Sequence, residues 1–221
     1  MSSSEAVSIM DLVQNFLDGE VPASLRQVLR KVEVREIGPL KLRSGRIVAV
    51  DPITSCNPTD PLDEEFEPGA YPVRVIAADQ RAPPARVIAF VHVPFNKKPA
   101  ARWRHAMWQG EPRFIGVDSH WAGLSDAMGI NRLIDLYDDD NFFNVLQSQP
   151  DYYADDGEEL ASMELSEGVN LVAFTPGAGD GSYPVLIGED ADGAIVSLLV
   201  DCCMLDGLSE ELVAHSDVPE A

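Results

Sequence analysis

The chain has 221 residues, 45% of them hydrophobic, which suits one large domain or two small ones with a core of ordinary size. Sixteen Lys and Arg stand against 37 Asp and Glu, a formal net charge of -21 at pH 7. That balance argues against nucleic acid and anionic membrane surfaces as ligands, since both are bound by cationic side chains that neutralise phosphate, and no apolar stretch approaches the ~20 residues that span a bilayer.

The first twenty residues lack a cationic start and carry Glu5 and Asp11 where a secretory signal would be apolar. Ala6, Met10, Val13 and Leu17 are helically spaced, so an amphipathic helix capped near Ser4 is predicted. Gly19 and Pro22 end it, and a second helix is expected over Ala23 to Arg30, making residues 1–31 an N-terminal helical segment. Val32, Val34, Ile37, Leu40 and Leu42 then lead through Ser44-Gly45 to Ile47 through Val50, the pattern of a hairpin. Residues 51–69 hold Pro52, Pro58, Pro61 and Pro68 among acids and read as a loop. Tyr71 to Ile76 and Arg86 to Val93 are β-rich and separated by Pro83-Pro84.

A short helix is expected over Pro99 to Gln109, where Ala101, His105 and Trp108 share a face, and a strand over Phe114 to Val117. Ser125 is read as the cap of a helix reaching Tyr137, because Ile130, Leu133, Ile134 and Tyr137 fall at i, i+3, i+4 and i+7. Further helices are expected over Asn141 to Gln147 and Asp155 to Leu165. The last third reads as three strands, Val169 to Phe174, Tyr183 to Ile187 and Ile195 to Asp201, the last two joined by Asp192-Gly193, a strong hairpin cue. Residues 207–221 form an acidic tail. Strands and helices are segregated, so the expected class is α+β, one domain over residues 1–221, with a mainly antiparallel sheet and flanking helices.

Charge is split along the chain. All sixteen basic residues lie before Leu133, where sixteen acids balance them, so the remaining 21 acids carry the whole net charge. An anionic surface that attracts a cationic protein partner is the functional reading, with Asp138, Asp139, Asp140, Asp155 and Asp156 as its partner-binding residues. A solubilising surface, or salt adaptation, would give the same composition. Asp51, Asp118, Asp126 and Asp180 stand at predicted strand ends or turn mouths and could hold a divalent metal if they converged. Each also has a local role: Asp51 starts a turn, Asp126 favours a helix N-terminus and Asp180 suits a Gly-rich loop. No cofactor is otherwise implied.

The remaining motifs are weak. Gly177 to Gly181 precedes a strand and has no Lys, unlike a phosphate loop. Glu189 to Gly193 lacks the first ligand of a calcium loop. The four histidines have no zinc spacing; His120 near Asp118 is the one to watch. Cys56, Cys202 and Cys203 make a poor disulfide framework, which points to a reducing, cytoplasmic setting.

Several segments together carry a resemblance. They are Ser44 through Pro52, Pro68-Gly69-Ala70-Tyr71-Pro72-Val73, Trp103, Gly116-Val117-Asp118 with Asp126, Gly179 through Val185, Gly188, Asp192-Gly193 and Asp201. In their order and spacing, from about Gly45 to Cys202, the chain resembles the bacterial domain-of-unknown-function family four-two-four-one. The resemblance implies a fold and brings no chemistry with it. His120 and Ala122 interrupt the middle motif, and Cys202 replaces an aromatic residue. Two functions are therefore carried forward: an acidic interaction protein, immunity- or antitoxin-like, and a metal-dependent hydrolase using the strand-end aspartates.

Overall fold

The computed structural model describes residues 8–54, 61–137, 142–155, 157–177, 179–202 and 204–205, without the side chains of 136 and 137. The first element is helix α1 (Ile9–Leu17), whose N-cap is Ser8: its hydroxyl accepts a bond from the Met10 N–H. Ile9, Leu12, Val13 and Phe16 form its buried stripe, with Met10 and Leu17 at the margins. The predicted second helix is only a 3-10 turn, Ala23–Leu25, and strand β1 (Leu29–Leu42) begins inside it. Pairing with β3 (Gly69–Arg81) overrides the local helical spacing there.

β2 (Ile47–Val50) does not fold back on β1 as the predicted hairpin; it pairs with β9 (Ala122–Asp126) in a different sheet. The turn between β1 and β2 carries the chain across. Gly45 has φ 71°, and a Cβ there would lie 2.1 Å from the Phe66 carbonyl oxygen.

The other strands are β4 (Pro84–Pro94), β5 (Arg102–His105), β6 (Met107–Trp108), β7 (Glu111–Pro112), β8 (Phe114–Val117), β10 (Tyr153–Asp155), β11 (Glu158–Ser166), β12 (Val169–Phe174), β13 (Gly181–Glu189) and β14 (Ile195–Asp201). Helices α2 (Ile130–Tyr137) and α3 (Phe142–Gln147) lie between β9 and β10. One sheet runs β1-β3-β4-β14-β13-β5, with β8 also on β13; the other runs β10-β11-β12-β9-β2; β6 and β7 form a small ribbon. The ladders between these strands are antiparallel. The β13–β14 hairpin forms as expected, joined through Gly193 at φ 82°, and is interior to the larger sheet.

Side-chain alternation stacks these elements. On β14, Leu198 and Val200 enter the cluster shared by both sheets, while Leu199 faces outward to α1. On β12, Val172 and Phe174 face in, and Leu171 and Ala173 face out to α2 and α3. The molecule is a sheet-dominated α+β sandwich with three short α-helices among the described residues.

Two predicted helices are strands. Asp155 to Leu165 is the β10–β11 hairpin: Ala161, Met163 and Leu165 alternate onto the outer cluster while Leu160 joins the inner one, a period of two that the sequence also fits. Pro99 to Gln109 holds β5 and β6 instead, paired through Arg102, Trp103, Arg104 and His105 with β13. Ser125 lies in β9, and Asp126 is the cap, accepting from the Met128 N–H. β12 belongs to the smaller sheet, away from β13 and β14.

Candidate functional site

Three of the family-like segments, around Asp51, Asp118 and Asp180, meet at one end of the sandwich. Asp51 follows β2 and is fully buried. Its Oδ1 accepts from the Ile53 N–H (2.8 Å), the Thr54 N–H (3.0 Å) and the Ser119 hydroxyl (2.6 Å). Its Oδ2 accepts from the N–H groups of Asp118 and Ser119, both at 2.9 Å. Burial alone would raise its pKa, but the Ser119 hydroxyl and the Asp118 and Ile53 amides outweigh it and hold the carboxyl below its ordinary range. Five donors fill the roughly four lone-pair positions of a carboxylate, so Asp51 ties two loops together.

Beside it, Asp118 is exposed and His120 stands at φ 71°, a conformation uncommon outside glycine. The His120 N–H donates to Asp180 Oδ1 at 3.1 Å. Gly179, φ 79°, lets the two loops approach; a Cβ there would lie 2.9 Å from His120 Nδ1. The buried Tyr183 hydroxyl donates to the Gly179 carbonyl at 2.7 Å.

Asp51, Asp118 and Asp180 are thus brought to one end, but Asp126 is not. It pairs with Ile47, at the far end of β2 from Asp51, roughly 13 Å away at ~3.3 Å per residue. Its carboxylate accepts from the N–H groups of Arg43, Ser44 and Met128 and from the Ser44 hydroxyl. The expectation that all four aspartates converge is therefore corrected: strand ends lie at both ends of a sandwich, and sequence does not say which. Among the described residues no group of three or more His, Cys, Asp and Glu side chains is placed to hold a metal ion.

Of the predicted partner-binding residues, Asp138, Asp139, Asp140 and Asp156 lie outside the described residues. Asp155 is exposed on β10 and accepts from the Tyr153 hydroxyl at 3.1 Å; Asp151 is exposed nearby. Glu158, close to these acids in sequence, is buried instead. It receives Arg86 Nε at 2.7 Å and Arg35 Nη1 at 3.5 Å, and Arg35 also lies 4.1 Å over the Tyr153 ring. This cluster, which also includes Glu33 and Asp79, ties the β10–β11 hairpin to the larger sheet. Burial pushes the Glu158 carboxyl up, more strongly than Arg86 pulls it down.

Elsewhere Lys41 meets Glu164, Lys98 meets Asp190, and Arg102 and Arg104 meet Glu189. Sequence reasoning missed these partners because each joins positions far apart in the chain.

Fold and site define a β-sandwich whose aspartate-rich end loops are held by hydrogen bonds to their own backbone. The chain belongs to the family described as "Protein of unknown function (DUF4241)", whose model matches residues 40–200, from the end of β1 to β14. No curated protein and no solved structure matches the chain. No helix among the described residues is long and apolar enough to cross a membrane.

Proposed function

We propose that this protein is an acidic interaction protein that binds a cationic protein partner in the cytoplasm, in the manner of an immunity or antitoxin protein. The observation that carries the reading is where the cations go. Nine of the sixteen basic side chains, among them Arg35, Lys41, Arg86, Lys98, Arg102 and Arg104, are already held in ion pairs. Asp118, Asp135, Asp151, Asp155, Glu167 and Asp180 are exposed and have no ion pair among the described residues. A surface with excess acid and few free cations favours a basic partner through long-range attraction.

The test compares two variants of equal charge. In one, Asp138, Asp139, Asp140, Asp155 and Asp156 become Asn or Ser; in the other, Asp11, Asp18, Glu20, Glu67 and Glu111 are neutralised. Binding to cytochrome c, as a basic probe, weakens more in the first. Equal weakening in both would leave only bulk charge, and the reading would fall. The metal-dependent hydrolase has less support, because the carboxylates of Asp51 and Asp126 are already filled by N–H and O–H donors.

A further inference from the structure

Arg74 on β3 and His92 on β4 stand directly opposite one another on the outer face of the larger sheet. Ile76 and Phe90, two residues along each strand, lie in the outer cluster beneath α1. Directly opposed residues on antiparallel strands place their Cβ atoms about 4.5–5.5 Å apart.

Among the described residues neither side chain makes a hydrogen bond or an ion pair. Arg74 is half-buried, and among the described residues it makes no ion pair and donates no hydrogen bond. The other basic residues differ. Nine are ion-paired; Arg43, Arg81 and Arg113 donate to backbone carbonyls; Arg26, Lys97 and Arg132 are exposed. Glu36 faces Arg74 across β1 and β3, but it is exposed and forms no ion pair with it. His92 is 6% exposed, and its buried Nδ1 has no hydrogen-bond partner among the described residues. Its ring meets Trp103 edge-on, centroids 6.4 Å apart. Burial, and then Arg74, push the imidazole down to about 4, which keeps it neutral at pH 7.

A buried ring nitrogen without a partner is costly, and the water-accessible guanidinium of Arg74 beside it has no acceptor among the described residues. One ligand chemistry suits this place: a planar oxyanion that takes the free guanidinium fork and lies beside the imidazole. We propose that Arg74 and His92, with Trp103 alongside, form a binding site for a small carboxylate. A carboxylate is favoured over a phosphate dianion because a protein of charge -21 repels the dianion about twice as strongly. The site is independent of the acidic-partner reading, since it recognises the opposite charge.

The test uses the full chain titrated with sodium acetate against sodium chloride at constant ionic strength, following the His92 ring protons by NMR. Acetate gives a saturable shift and moves the His92 titration upward from about 4, because a neighbouring anion favours the imidazolium. Arg74→Met weakens binding about tenfold or more, as expected for a hydrogen bond between charged groups. Arg74→Lys retains the charge, loses the fork and binds several-fold more weakly. Arg132→Met, an exposed control, binds as the parent does. No saturable shift with acetate overturns the site. So does a shift that survives Arg74→Met, or one lost equally in Arg132→Met.

Discussion

At the scale of single residues, Asp51, His92 and His120 carry distinct and separable effects. Asp51→Asn replaces an acceptor of five hydrogen bonds with a group whose NH2 faces donors, so it costs about 2–3 kcal/mol in urea unfolding. The Asp51 carboxyl is held below its unfolded pKa. Its contribution is therefore present above about pH 3.9 and lost as pH falls through the folded value. His92 acts at milder pH. Its imidazole is lowered from 6.5 to about 4, so folding favours the neutral ring, and stability declines as pH falls from 6.5 towards 4. The full effect is up to about 3 kcal/mol, and His92→Leu flattens the stability profile over that window. His120→Gly relieves a φ of 71° and stabilises by about 1 kcal/mol; no change in the unfolding midpoint would show that the loop holds His120 without strain. The local roles of these aspartates were partly legible: Asp51 before Pro52 reads as a turn, and the turn amides of Ile53 and Thr54 do bond its side chain. That the same carboxylate also holds Asp118 and Ser119 was not legible, because this contact spans 67 residues.

At the scale of elements, the β10–β11 hairpin depends on the buried Arg86–Glu158 contact. The two partners are not equivalent. Arg86→Met leaves Glu158, 1% exposed, without its closest cation and costs about 3–5 kcal/mol. Glu158→Gln costs less than about 1 kcal/mol, because the raised pKa means burial already disfavours the charged form. Thermal unfolding of both variants at pH 7 checks the asymmetry, and equal losses would contradict it. The strands β3, β4, β8, β12, β13 and β14 were legible from β-branched runs and turn residues. The hairpin was not, because Leu160 and Met163 at i, i+3 satisfy a helix as well as a strand, and only burial on both faces decides between them. Assignment of strands to two sheets was also hidden. β1 and β2 are neighbours in sequence, and the Gly45 turn that separates them looks like a hairpin turn.

At the scale of the whole molecule, the excess of 21 negative charges repels itself wherever it is not paired. Added salt screens that repulsion over about 8 Å at physiological strength and should raise the melting temperature. It should also slow capture of a basic partner. The sequence made the sign and asymmetry of the charge plain, but not its distribution: Glu158, Glu164, Glu189 and Asp190 turn inward or sideways to cations of the first half. The most direct test of the acidic-partner account is the association rate with cytochrome c as a function of ionic strength. The parent protein should lose rate steeply as salt rises, and the variant neutralised at Asp138, Asp139, Asp140, Asp155 and Asp156 should show a slope shallower than that of the control neutralised at Asp11, Asp18, Glu20, Glu67 and Glu111. Identical slopes for the two variants would contradict a localised binding face and leave the charge as a solubility device.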